Sequence, residues 1–270
     1  MIFPTSTCLS ASSLRRRLGL LCAAFLLAAA SPVLAQQRNP TQTVGETVFD
    51  QPASSYRFEH FTLDTADHGR RWRVTVGQPV RAGAGPAPVL YMLDGNAAAM
   101  VLDQAMLAEL AQGAAPVLVF VGYDNDLRID SAARTRDYPA WIDRADDGSG
   151  QVKEFGGGAF AFMDLLERRV KPEVERRARI DPQQQTLWGH SLGGLFALTT
   201  LYVRPAAFTQ YVAASPSLWW ARGAPLGDIE RQFVENHGGQ PARLLVMLGG
   251  DERAGERGNR DLSNPRVVAH

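Results

Sequence analysis

The chain has 270 residues, with 28 Lys+Arg against 28 Asp+Glu and a formal charge of zero. That balance excludes the basic excess typical of a nucleic-acid binder. At 45% hydrophobic and 21% charged residues it is neither disordered nor fibrous, and its length suits one α/β domain with a sizeable core.

Residues 1–35 read as a secretory signal peptide. Arg15, Arg16 and Arg17 form a positive stretch, and Leu18 to Ala30 an apolar one. The apolar run is shorter than the roughly 20 residues that a membrane span needs. Val33-Leu34-Ala35 supplies small residues at the cleavage positions, so cleavage is expected after Ala35. A periplasmic or secreted location follows, with no membrane span in the mature chain. Cys8 and Cys22 both lie in this segment, which leaves the mature chain without a disulfide, a thiolate metal ligand or a cysteine nucleophile. Loss of the three arginines lowers the basic count from 28 to 25 against 28 acidic residues, a net charge of −3.

Residues 36–54 are polar and read as a flexible lead-in. One α/β domain is expected over 55–250, with an atypical polar tail at 251–270. Tyr56 to Leu63 alternates as a half-buried strand does, and Trp72 to Val76 reads as its partner. Val89 to Leu93 and Val117 to Val121 are continuous apolar runs, suited to parallel strands buried on both faces. Ala97 to Gln112 between them is helix-forming, which completes a βαβ unit. Gly122 to Phe155 is long, polar and rich in Arg and Asp, and is expected as a functional loop. Phe160 to Ala178 is an amphipathic helix that Pro172 should kink. Thr186-Leu187-Trp188 is a strand, followed by a helix from Ser191 to Tyr202. Tyr211 to Ala214 and Leu244 to Leu248 are the last strands. No repeat and no second domain is visible.

One motif carries chemistry. Gly189-His190-Ser191-Leu192-Gly193 is G-x-S-x-G, placed where a strand ends and a helix begins. In such a turn the serine oxygen is exposed and the positions two residues away must lack bulk. The helix N-terminus favours negative charge beside it. The same residues also suit an inert glycine-rich turn with a capping serine. A serine nucleophile needs two backbone N–H donors for the oxyanion. Leu192 is one candidate. Asn96 or Gly95, in the loop after Val89 to Leu93, is the other.

TLWGHSLGGLFALTTLYVRPAAFTQYVAASPSLWW at 186–220 resembles the esterase family of α/β-hydrolases, most closely its periplasmic siderophore esterases that cleave enterobactin-type trilactones. YMLDGN at 91–96, VGYDNDLRIDSAARTRDYP ending at Pro139, and FMDLLERRVKPEVE at 162–175 share the likeness, which spans about residues 55–252. The resemblance implies the α/β-hydrolase fold: a mostly parallel central sheet with helices on both faces. It implies a serine ester hydrolase with no metal and no organic cofactor. Ser191 matches the nucleophile, and Asn96 and Leu192 match the oxyanion donors. Arg128, Arg134, Arg136 and Tyr138 fall in the loop that borders the substrate in such enzymes. Trp219 and Trp220 are further candidates for that pocket. A small-molecule ester is the implied partner. An anionic, aromatic ferric catecholate siderophore would suit Arg and Trp contacts and a role in iron acquisition.

The acid and the histidine are less plain. Asp251 or Glu252, after the strand at 244–248, holds the usual place of the acid. The only later histidine is His270, and residues 251–270 show neither a strand nor a helix pattern, so the last strand and helix of the fold are expected to be missing and activity impaired. A feruloyl or acetyl-type carboxylesterase shares the same elbow, and a non-catalytic binding protein on the same fold is the reading from another class. Oligomeric state leaves no signal.

Overall fold

Strand propensity is concentrated in the apolar runs, and these build the sheet. A computed structural model of the protein describes residues 40–52, 55–65, 69–81, 83–146, 151–239 and 241–249. The chain enters through β1 (Tyr56–Asp64) and β2 (Arg71–Pro79), an antiparallel pair. It continues through β3 (Ala87–Leu93) and the short helices α1 (Gly95–Ala99) and α2 (Gln104–Gln112), then β4 (Val117–Tyr123). The expected helix at 97–112 is thus two helices. Asp103 starts the second by accepting the Met106 N–H at 2.8 Å.

The seven-stranded sheet has the order β1-β2-β4-β3-β7-β8-β9. β7 (Ile180–His190), β8 (Gln210–Ala214) and β9 (Leu244–Met247) are parallel to β3 and β4. All seven residues of β4 are buried, because helices cover both faces. Leu90 and Met92 of β3 face Leu107 of α2, whereas Tyr91 and Leu93 belong to the larger core on the other face. That larger core receives α4 (Ala159–Leu165), α5 (Lys171–Arg177) and α6 (Leu192–Val203). Leu192 to Leu201 of α6 are all buried, which accounts for a helix that is apolar all round.

A π-helical turn at Leu166–Val170 joins α4 to α5. Pro172 lacks an N–H and its ring would strike a carbonyl one turn back, so the ladder widens just before it. The polar stretch 122–155 is more ordered than its composition suggests. It holds α3 (Ser131–Asp137), capped by Asp130 accepting the Ala133 N–H at 2.9 Å. It also holds a hairpin of β5 (Asp143–Asp146) and β6 (Val152–Phe155), braced by Arg144 on Glu154. Residues 220–226 form a 3₁₀ segment, and α7 (Asp228–His237) follows it.

The lead-in is not loose over its described part, residues 40–52. Val48 is buried, Phe49 packs edge-on against Phe120 with ring centroids 4.9 Å apart, and Val44 donates to the Asp126 carbonyl at 2.8 Å. Apolar packing and backbone hydrogen bonds, Arg128 N–H to the Gln42 carbonyl at 2.8 Å among them, dock a largely polar segment. Among the described residues no helix is long and apolar enough to cross a membrane.

Lys171 opens α5 with its ammonium 4.0 Å from the Phe208 ring centroid and donating to the Ala207 carbonyl. Burial pushes its pKa down from 10.5 to about 8, against the upward pull of Glu167 and Glu175. Between pH 8 and 10.5 the unfolded chain therefore binds more protons here than the folded one, and stability contributed by this site rises with pH. Urea unfolding at pH 7.5 and 9.5 checks this. The gain at the higher pH is expected in the wild type and absent in Lys171→Met.

Candidate active site

The parallel strands β3, β4, β7, β8 and β9 end at one edge of the sheet, where α/β proteins place their ligands. Ser191 sits there, between β7 and α6, with φ 58° and ψ −115°. A non-glycine residue in this region is strained, and strain of that kind persists only where the surroundings impose it. They do so here with three backbone bonds. Ser191 N–H donates to the Ala214 carbonyl at 2.9 Å, and the Ser191 carbonyl accepts from Leu195 at 2.9 Å and from Ser217 at 3.1 Å. A Cβ on Gly189 would collide with the Gly193 carbonyl, so the elbow closes only with glycine at that position.

The loop after β3 lies against this turn. Asp94, at φ 52°, caps α1, and its carboxylate takes both prongs of Arg134, Nε at 3.0 Å and Nη2 at 2.8 Å. The same Nη2 donates to the His190 carbonyl at 3.1 Å, one residue before Ser191. Burial disfavours the guanidinium charge, but the Asp94 carboxylate outweighs it and the net shift in pKa is upward. Tyr138 accepts the Asp94 N–H at 3.2 Å and underlies Arg134, whose guanidinium carbon is 5.5 Å from the ring centroid. Burial first, and Asp94 next, push the Tyr138 phenol upward, so it stays neutral. Asp137, fully buried, gathers Tyr123 from the end of β4 together with Arg70 and Arg136. Asn96 donates through its side chain to the carbonyls of Asn125 (3.0 Å) and Leu127 (2.8 Å), which ties the loops after β3 and β4 together.

Of the substrate-loop residues, Arg134 is 9% exposed and Tyr138 fully buried, and both brace the loops from beneath. Arg136 is half-exposed but engaged on Asp137. Trp220 is also core, donating from Nε1 to the Trp141 carbonyl at 2.9 Å, whereas Trp219 is 36% exposed. Arg128 is half-buried in the loop after β4, and among the described residues its guanidinium has no ion pair. Gly95, Asn96 and Leu192 stand at the starts of α1 and α6. Among the described residues their N–H groups have no backbone partner, as first-turn amides characteristically lack one.

The Ser191 Oγ is 3.1 Å from the Ser217 Oγ. Sequence reasoning missed Ser217. Its only trace was a Ser-Pro-Ser turn directly after β8. Among the described histidines, His60 is exposed on β1, and His237 stacks on Phe233 at the end of α7. Neither is hydrogen-bonded to the Ser191 hydroxyl, whose described partner is the Ser217 Oγ. Asp251, Glu252, His68 and His270 lie outside the described residues. Among the described residues no cluster of three or more His, Cys, Asp or Glu side chains is placed to hold a metal ion.

Removing one partner of the buried pair leaves the other charge unpaired, so Arg134→Met is expected to cost about 3–5 kcal/mol in urea unfolding. The double variant Asp94→Asn, Arg134→Met should recover much of that loss. A single variant as stable as the wild type would show that the pair does not hold the loops.

Residues 65–257 match the family described as "Putative esterase". The chain is 38% identical over 221 residues to the apo-salmochelin esterase of Escherichia coli O6:H1 (strain CFT073), covering 78% of this chain and 67% of that protein. It is 32% identical over 199 residues to the ferri-bacillibactin esterase BesA of Bacillus subtilis (strain 168), covering 69% and 68%. The solved "Enterobactin and Salmochelin Hydrolase IroE" aligns with TM-score 0.62 at 30% identity, over 75% of this chain and 90% of that one. The sheet order, the strained elbow and these likenesses agree, and the chain belongs to the esterase family of α/β-hydrolases, which are carboxylic ester hydrolases.

Proposed function

We propose that the protein is an exported serine hydrolase that cleaves the ester bonds of a catecholate siderophore of the enterobactin type. The observation that carries this reading is Ser191, held at φ 58° at the C-terminal edge of the parallel strands. The named relatives, which act on salmochelin, bacillibactin and enterobactin, support the substrate class. Arg15 to Arg17 followed by Leu18 to Ala30 supports export to the periplasm or beyond.

In this reading Ser191 Oγ attacks the ester carbonyl and the siderophore alcohol leaves, giving an acyl-enzyme that water then hydrolyses. Leu192 and either Asn96 or Gly95 supply the amides that meet the oxyanion. The buried Arg134–Asp94 pair keeps the two amide-bearing turns side by side. Arg128 and Trp219 are the cation and the aromatic face offered to an anionic catecholate. Asp251 or Glu252, a few positions in sequence after the strand at 244–247, serves as the acid.

The rate depends on the group that takes the Ser191 proton. Loss of a triad member costs orders of magnitude, so the identity of that base sets the turnover. A release screen with ferric enterobactin and a feruloyl ester, run on the wild type and Ser191→Ala, tests the proposal. Release of catechoylserine units from enterobactin, lost in the variant, is the expected result. Preferential release of ferulate would assign a feruloyl-type esterase. Tight binding of ferric enterobactin with no release from either substrate would favour a non-catalytic binding protein.

A further inference from the structure

Ser217 is 2% exposed, and among the described residues its hydroxyl has one recorded partner, the Ser191 Oγ at 3.1 Å. A buried hydroxyl gains nothing over alanine in such a place unless it is hydrogen-bonded. Its backbone is fixed independently of that bond. Ser217 N–H donates to the Ser191 carbonyl at 3.1 Å, and the Ser217 carbonyl accepts from Trp220 at 3.1 Å. The turn is also anchored one step earlier, where Ser215 donates to the Met247 carbonyl of β9 at 2.7 Å. The side chain is thus delivered to Ser191 by a loop that needs no help from the hydroxyl itself.

We propose that Ser217 is a positioning residue for the reaction, holding Ser191 Oγ in its attack orientation and donating a hydrogen bond to it as that oxygen becomes electron-rich. This rests on Ser191 being the nucleophile. A hydroxyl suits the task because it is both donor and acceptor. While Ser191 is a neutral alcohol, Ser217 can accept from it. Once Ser191 has passed its proton, through the general base, to the leaving alcohol, only donation from Ser217 remains, and a bond to a charged oxygen is about twice as strong as a neutral one. Ser217 keeps its own proton throughout and transfers nothing. The same donation helps Ser191 Oγ leave when the acyl-enzyme is hydrolysed.

The test is the kinetics of fluorophosphonate labelling on the full chain, wild type against Ser217→Ala and Ser217→Thr, with thermal midpoints alongside. In Ser217→Ala the maximal labelling rate should fall about 10- to 100-fold with the probe's half-saturating concentration unchanged. Ser217→Thr, or Ser217→Cys if the added methyl prevents folding, should recover part of the rate. A Ser217→Ala maximal labelling rate within about twofold of wild type would overturn the inference. So would a rate loss that tracks a lower thermal midpoint and is not recovered by either replacement. Absence of labelling in the folded wild type would instead overturn the Ser191 reading, and this inference with it.

Discussion

The site depends on one buried ion pair. Asp94 and Arg134 meet in two parallel hydrogen bonds, and the spare reach of the guanidinium goes to the carbonyl of His190. One planar cation thereby fixes the loop after β3 against the turn that carries Ser191. Lysine would not replace it, having a single point charge where two prongs and a third bond are used. Buried ion pairs add little net stability, so the value of this one lies in the geometry it imposes.

Around that link the strain at Ser191 becomes intelligible. The elbow is held by Ala214 from β8, by Leu195 within α6 and by Ser217 beyond β8. The glycines make the turn sterically feasible, and the apolar α6 keeps it from relaxing, because Leu192 to Leu201 are locked in the core. Packing far from the edge of the sheet thus sets the orientation of one hydroxyl. The loop after β4 is joined to the same cluster through Asn96 and Asp137.

Much of this was legible from one sequence, for identifiable reasons. β3 and β4 showed as unbroken apolar runs because both faces are covered. The elbow showed because Gly189 and Gly194 meet a local steric demand on either side of Ser191, whereas a Cβ on Gly193 would make only ordinary contacts. What stayed hidden was carried by long-range pairing. Arg134 reaches Asp94 across 40 positions and Ser217 reaches Ser191 across 26. No local pattern distinguishes a buried arginine from a surface one, since arginine is rarely buried unless paired. For that reason nothing in the sequence showed that Arg134 is buried against Asp94 or Tyr138 beneath it. The docking of 40–52 was hidden likewise, its few apolar residues Val44, Val48 and Phe49 scattered among polar neighbours.

The most direct measurement is mass-spectrometric mapping of the adduct formed when the folded protein meets a fluorophosphonate. Such a probe reacts with an activated serine and not with an ordinary surface hydroxyl. A single adduct on the peptide carrying Ser191 is the expected result. A folded protein that forms no adduct, or carries it on another serine, would contradict the assignment of Ser191 as the nucleophile.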